Sequence, residues 1–597
     1  MPPGMAALFP TMVLAGALVL LFTMAPCHSE EPAPAEGAAP MRFRVVMDAP
    51  KPLAGTLERG LNLMRWQHDE QMTLDLLQRL VGEARSEVER ALAAEGYFSP
   101  TVRTAIEPHP DTSVVRITVE PGPRTLVSSV ELQFRGTVVD RDPAGAARMD
   151  AVRAAWPLMK GEPFRQSEWD AAKRKAVAEL AARHYAAAAI VSSEARIDPQ
   201  QRTATLRVEL DSGPPFRLGE TRVSGTRRYP ESIVQNLNPL QPGEEYEASR
   251  LALFQRRLLE TGYFATAQIG ITPDPANAAA APLEVTVAEG RSQRIDAGVS
   301  FSTDTRLGAA LNYTNQDVLD RALRLRSIIK IDSKTELFDT TLDTPPRAGG
   351  VWNTFNVKYE REDIQNQRTR EGVLGAAYNW GVESTPSQTS LSAHSERQEI
   401  QGSGIEHNDA LYLGYRKTFQ LTDNPLLPRR GLLGTLHAGT SVPGLATQQF
   451  LRFAAKGHLL VPISKESDFT LRAEGGIVVA SSRSGIPSSF LFRTGGDQTV
   501  RGYEFESIGV RQGNAIVGGR YLAVASAEYT WWFAGDWGAA AFVDAGDAFD
   551  SPSAFDLAVG YGVGARWRSP IGPFRADVAY GQRTGKVRLH FSAGFTF

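Results

Sequence analysis

The stretch Ala322–Ile331 reads ALRLRSIIKI. In an extended chain successive side chains point to opposite faces, so Leu323, Leu325, Ile329 and Ile331 share one face and Arg324, Arg326 and Lys330 the other. A soluble β-sandwich turns such an apolar face inward, whereas a barrel in lipid turns it outward around a polar lumen. Alternation alone leaves both open. Around this stretch, from about Arg294 to the C-terminus, the chain repeats the pattern in segments of about ten residues separated by polar turns, the usual length of a membrane-crossing β-strand. RIDAGVSFSTDT (294–305) places Ile295, Ala297, Val299 and Phe301 on one face, and the final RLHFSAGFTF (588–597) places Leu589, Phe591, Ala593, Phe595 and Phe597 on one face. The length from Arg294 onward accommodates about 16 such strands with their turns. Trp531, Trp532, Trp537 and Trp567 are expected in an aromatic girdle at the membrane interface.

The N-terminus tips the balance towards the barrel. Met12–Ala25 is almost wholly apolar, about the length of a secretory h-region and shorter than the roughly 20 residues of a spanning helix. Residues 1–29 are therefore expected to be a signal peptide, although its n-region carries no lysine or arginine; a short uncleaved anchor is the alternative. The Pro/Ala-rich segment 30–40 reads as a flexible start to the mature chain. No second apolar run of spanning length follows, so an exported chain that enters a membrane must do so as a closed barrel, in which every backbone polar group is paired. Cys27 is the single cysteine of 597 residues, which excludes an intramolecular disulfide framework and a cysteine metal cluster. With 64 basic and 67 acidic residues the charges nearly cancel, giving no nucleic-acid footprint.

Before the barrel, three segments end a helical pattern alike: VERALAAEGYFSPTVRTAIEP, VAELAARHYAAAAIVSSEARI and RRLLETGYFATAQIGITPD, marked by Tyr97, Tyr185 and Tyr263. Each runs into a strand and then a second one, SVVRITVEPGP, TATLRVELDSGPP and PLEVTVAEG. One copy would be ordinary helix capping by glycine. Three copies in register define a repeated β-α-α-β-β module, with expected boundaries 41–123, 124–213 and 214–291 and the barrel over 292–597. The pattern resembles polypeptide-transport-associated (POTRA) modules. The fold class expected is thus three α+β POTRA repeats followed by a transmembrane antiparallel β-barrel. Open sheet edges in such modules offer unpaired backbone groups to which a client strand can add.

One segment breaks the alternation: TGGDQTVRGYEFESIG (494–509). An Arg-Gly-Tyr tripeptide is weak by itself, since most are loops with a solvated arginine. After three modules and inside a barrel, Val500, Arg501, Gly502 and Tyr503 resemble the signature loop of the outer-membrane assembly factors and two-partner secretion transporters. In that family the loop folds into the lumen and its arginine meets an acid on a neighbouring strand. The resemblance implies Asp544, in GAAAFVDAGDAF (538–549), as that acid and Glu528 as a second candidate. NPLLPRRGLLGTL (424–436) and GYGVGARWRSPIGPFRADVAYG (560–581) also fit the family. A chain ending on phenylalanine matches the C-terminal signal of bacterial outer-membrane barrels. Module count, chain length and the STDT turn (302–305) resemble the TamA family, outer-membrane subunits of the translocation and assembly module.

That resemblance implies an outer-membrane location with periplasmic modules. It implies a TamB-like inner-membrane-anchored partner, unfolded outer-membrane protein clients such as autotransporters, contact with outer-membrane lipid, and a role in phospholipid movement between the membranes. It also implies a weak lateral seam between a first strand carrying Ile295, Ala297 and Val299 and a last strand carrying Phe591, Phe595 and Phe597. A two-partner-secretion pore or a BamA-like general insertase is the alternative. No enzyme is expected, and neither cofactor nor metal: Gly-x-Ser-x-Gly and His-Glu-x-x-His are absent, and the nine histidines form no close ligand pairs.

Overall fold

The computed structural model describes residues 42–69, 71–109, 112–381, 384–423, 428–569 and 572–596, so the expected signal peptide and flexible segment lie outside the described residues. Three small three-stranded sheets come first and a closed barrel of sixteen strands follows. Among the described residues no helix is long and apolar enough to cross a membrane. The chain divides into two compact units. One runs to Leu132 and adds Trp156–Arg174 and Ser193–Val208; the other holds the remainder, including the third module and the barrel.

In the first module Ser113–Glu120 lies between Phe43–Asp48, to which it is parallel, and Thr101–Glu107, to which it is antiparallel. The helix Leu74–Ala94 begins where the Thr73 hydroxyl accepts from the Leu76 N–H, and it buries Leu77, Leu80, Val81, Ala84, Val88 and Leu92. This i, i+3/i+4 spacing gives one apolar stripe, which packs on Val115, Ile117 and Val119 of the sheet. The helix ends at Gly96, whose φ of +90° suits the residue after a helix C-cap. In the second module Thr203–Asp211 is the central strand between Leu126–Arg135 and Ala189–Asp198. An additional short helix, Thr137–Asp140, precedes the two expected ones; the Val138 N–H in its first turn donates to the Ser212 hydroxyl. Tyr185, the second repeat marker, is fully buried and donates its hydroxyl to Asp142, which also pairs with Arg148.

The third module repeats the topology with Leu218–Ser224, Phe264–Ile271 and a central Ala281–Glu289. Its core contains Tyr229, Phe254, Leu258, Tyr263 and Val285. At the end of the central strand, Glu289 Oε1 accepts from three consecutive backbone N–H groups, those of Arg227, Arg228 and Tyr229, at 2.7, 2.7 and 3.0 Å. Burial works to raise the Glu289 pKa, but the three donors outweigh it and hold the carboxyl below its ordinary value. A carboxyl depressed in the folded state adds stability above its unfolded pKa, and that stability is lost as pH falls through the folded value. Glu289→Gln is therefore expected to speed hydrogen exchange at residues 227–229 at neutral pH. The same substitution should flatten the acceleration that the native chain shows on acidification below the ordinary carboxylate range.

Barrel strands follow one another in sequence order, each antiparallel to the next, from Gln293–Ser302 to Lys586–Thr596. Apolar side chains are on the outer face: Ile295, Leu307, Leu374, Val563 and Leu589 are all more than 60% exposed. Buried polar groups such as Glu371, Glu396, Asp544 and Arg566 are on the inner one. Trp531, Trp537 and Trp567 lie near the ends of their strands, with Trp537 stacked on Trp567 at 5.0 Å and 5°. Trp532 departs from the expected girdle. Its neighbour Trp531 is 50% exposed, and period two sends Trp532 to the other face. There its indole N–H donates to Asp468 Oδ2 at 2.7 Å under the Arg568 guanidinium.

The third module touches the barrel at its first turns. The Tyr263 hydroxyl donates to the Ala322 carbonyl at 2.7 Å, and Arg324 donates to the Thr261 carbonyl while bonding Asp343 through Nε and Nη2. Asn236 donates to the Pro346 carbonyl. Burial pushes the Tyr263 phenol up to about 12, so it stays a donor throughout the physiological range. Tyr263→Phe leaves the buried Ala322 carbonyl without this donor, an expected cost of about 1–3 kcal/mol, read as faster amide exchange at residues 319–323.

Candidate functional site: a lumenal loop and the barrel seam

Between Ser467–Val479 and Tyr521–Ala534 the chain makes its longest described barrel connection, residues 480–520. Its stalk is held by reciprocal backbone bonds between Phe492 and Gly519 and between Thr494 and Ile508, and a small hairpin pairs Val510–Gln512 with Ala515–Val517. One side of the stalk packs Phe490 and Phe492 with Tyr412 and Phe450 of the wall, and Ser489 donates to Glu371. Ser488 hydrogen-bonds to Glu396. The tip carries Val500, Arg501, Gly502 and Tyr503, all buried.

Arg501 is 2% exposed and meets both sequence-predicted acids. Its Nε and Nη2 donate to Asp544 Oδ2 and Oδ1 at 2.7 and 2.9 Å, and its own backbone N–H adds a third bond to Asp544. Its Nη1 donates to Glu528 Oε2 at 2.6 Å. The paired, side-on geometry to Asp544 is the oriented form that only a guanidinium makes. Phe542 closes the flat face, with the guanidinium carbon 3.3 Å from its ring centroid. Tyr503 donates to the Val559 carbonyl and accepts from the Arg583 N–H, and the Gly502 N–H donates to His590 Nε2 on the last strand.

Strand register explains why these residues converge. Arg472, Ser526, Asp544 and Gly560 are successive cross-strand partners, forming one row on the inner wall. Gly564, Asp577 and His590 form a second row. At Gly560 a side chain would collide with the Arg501 carbonyl, so the glycine is the recess into which the loop fits. Gly502 has φ +91°, and a Cβ there would lie 2.7 Å from Gly581 N. Both positions fix the loop's path against the wall.

Sequence reasoning placed Arg566 and Asp577 in a stretch that fits the family without assigning them partners, and it missed Arg472 and Ser526. Arg566 donates to both Glu528 oxygens and, at 2.6 Å, to Asp577 Oδ1, while Asp577 Oδ2 lies 3.4 Å from Arg501. Ser526 donates to Asp544 and accepts from Arg472, which also donates to the Gln498 carbonyl. Arg472, Arg501 and Arg566 thus face Glu528, Asp544 and Asp577, a balanced set of three cations and three anions. The available signal was parity: once Asp544 is placed inside, every polar residue in phase with it on adjacent strands is a neighbour.

The seam joins Gln293–Ser302 to Lys586–Thr596. Among the described residues its ladder covers only Gly298–Thr596 to Ser302–Ser592, whereas the first strand pairs along its full length with the second. Val299 is in that ladder, opposite Phe595; among the described residues Ile295 and Ala297 pair with the second strand alone, opposite Tyr313 and Leu311. Phe591 lies above the ladder, with its ring 5.9 Å from Phe301 and its carbonyl accepting from the Thr303 N–H. Phe597 lies outside the described residues. Among the described residues no group of three or more metal-ligating side chains occurs.

Residues 288–597, more than half of the chain, match the Omp85 superfamily domain. The chain belongs to the Omp85 superfamily. Residues 50–121 match the first POTRA domain of TamA, and 216–290 match the POTRA surface antigen variable number repeat. The outer membrane protein assembly factor BamA of Nitratidesulfovibrio vulgaris is 22% identical over 399 residues, covering 64% of this chain. The chain spans about half the length of that curated relative. The crystal structure of Haemophilus ducreyi BamA lacking POTRA domains 1–3 is similar in fold, with a TM-score of 0.57 at 15% identity over 79% of this chain and 100% of that one. CdiB from Acinetobacter baumannii matches with a TM-score of 0.45 at 13% identity, covering 80% and 91%. As an Omp85 barrel preceded by POTRA modules, the protein resides in the outer membrane with those modules in the periplasm. In this Omp85 barrel the tip residues 500–503 and the seam occupy one side of the lumen, linked through His590.

Proposed function

We infer that the protein is a non-enzymatic outer-membrane insertase of the TamA type. Its POTRA modules receive unfolded β-rich clients, autotransporters among them, and a TamB-like inner-membrane-anchored partner docks on them. The observation that carries this reading is the seam. Among the described residues the first strand pairs fully on one side and over half its length on the other, and such a strand offers unpaired N–H and C=O groups to an incoming one. A client strand adds to that edge through main-chain bonds, which makes the recognition tolerant of client sequence. Arg501, Asp544 and Glu528 act here as a latch that holds the loop across the lumen while the wall opens. The TamA-type first module supports the TamB-like partner, and the same bridge between membranes would serve phospholipid movement. The test is reconstitution: the chain in vesicles with an unfolded autotransporter barrel should raise the yield of protease-protected, folded client at least tenfold over empty vesicles. A yield no higher than that of empty vesicles would remove the insertase reading.

A further inference from the structure

Beside the seam the rim of the barrel is uneven. The first four strands, Gln293–Ser302, Arg306–Val318, Leu323–Ile331 and Thr335–Asp343, are joined at this rim by short turns, whereas Trp352–Ile364 and Gln367–Trp380 rise beyond them. The last strand also begins higher, since Lys586–Leu589 lie above the point where pairing with the first strand stops. The result is a notch of about 730 Å³ in the wall, floored by Thr303, Asp304 and Ser333 and backed by the loop residues Glu504 and Phe505.

Its lining is charged. Arg306, Lys334 and Arg588 line it, against Asp304 and Glu504. Glu504 is engaged by Arg588 at 2.7 Å, and Asp304 accepts from the Asp497 N–H. Among the described residues the side chains of Arg306 and Lys334 have no hydrogen bond or ion pair. Two buried nitrogens border it: Arg588 Nε has no hydrogen-bond partner, and His590, 4% exposed, accepts at Nε2 from Gly502 and so carries its proton on Nδ1, 3.8 Å from Asp304 Oδ1. On the outer face of the same strand, Val587 and Leu589 are 64% and 69% exposed, an apolar surface continuous with the notch.

The third module contacts the opposite end of these strands, so the notch faces the outer leaflet. We propose that the notch binds the phosphate group of an outer-leaflet lipid, with Arg306, Lys334 and Arg588 as its ligands and Val587 and Leu589 against its acyl chain. Arginine and lysine are the side chains that pair with phosphate, and the apolar strip separates a membrane-borne phosphate from a dissolved one. A lipid seated there would fill the gap above the five-pair ladder and bias the seam towards its closed form.

The test is independent of client assembly. Full-length protein in a neutral detergent is titrated with dioctanoyl phosphatidic acid, dioctanoyl phosphatidylcholine and inorganic phosphate, with binding followed by native mass spectrometry. Phosphatidic acid should bind at least tenfold more tightly than either of the others. A triple variant, Arg306→Gln, Lys334→Gln and Arg588→Gln, should lose that preference, while single Arg306→Gln, at an exposed turn position, should lose part of it with the barrel's heat-modifiable gel mobility unchanged. Equal affinity for inorganic phosphate would assign the site to a dissolved anion and overturn the lipid. Equal affinity for phosphatidylcholine, or unchanged binding by a folded Arg306→Gln protein, would overturn the site.

Discussion

Replacing Arg501 with alanine is expected to release the lumenal loop and cost the barrel about 3–5 kcal/mol, the usual penalty for removing one partner of a buried ion pair. The size follows from what is left behind. Asp544 loses both guanidinium hydrogen bonds, Glu528 keeps only Arg566 and Thr530, and three carboxylates face two arginines. Lysine restores the charge but cannot span Asp544 and Glu528 together, so Arg501→Lys should recover less than half of the loss. Two readouts separate stability from gating: the temperature at which the folded band disappears in a heat-modifiability gel, and single-channel conductance in a planar bilayer. Arg501→Ala should lower the first and raise the second by several-fold. A variant with native melting and native conductance would show that the loop is not latched through this residue.

The second large effect concerns the seam. Ser300 and Gly594 are register partners, and opposed residues of antiparallel strands lie within the Cα separation that a disulfide bridges. The chain's single cysteine, Cys27, lies in the expected signal peptide and leaves the background clear. Oxidised Ser300→Cys/Gly594→Cys protein should insert client at least tenfold more slowly than its reduced form, with reductant restoring the rate. A crosslinked barrel that inserts at full rate would mean that clients do not enter between these strands. The two experiments bear on different parts of the proposal, since the crosslink leaves the Arg501 network intact.

The fold was legible wherever a periodicity repeats. Three copies of a helix ending at an aromatic, and many segments like ALRLRSIIKI, each carry a weak signal, and their repetition carries a strong one. Trp532 shows how local that signal is: two adjacent tryptophans look alike in sequence, and only one can face lipid. At the site, Arg501, Asp544 and Glu528 came from a motif, and Arg566 and Asp577 lie in a second stretch that fits the family (560–581) but suggested no partner for them, while Arg472 came from no motif at all. Their convergence depends on register across six strands, which is set by pairing between segments distant in sequence. The seam was less legible still. The length of its ladder is fixed by where the strand ends fall, not by the character of any residue in them.

The placement of the latch has a kinetic consequence. Arg501 reaches its partners over 27 to 76 residues of chain, and Gly502 reaches His590 over 88. The rim bond between Thr303 and Phe591 closes a loop of 288. Loop-closure entropy grows with the logarithm of length, and in this case the long loop must also wait until every intervening strand is in place. The C-terminal segment, from Ser467 onward, can thus consolidate around its buried charges as one folding unit before the ring closes. A barrel that finishes its own folding by docking one free edge onto a pre-organised wall already contains, in its last step, the reaction it would perform on others.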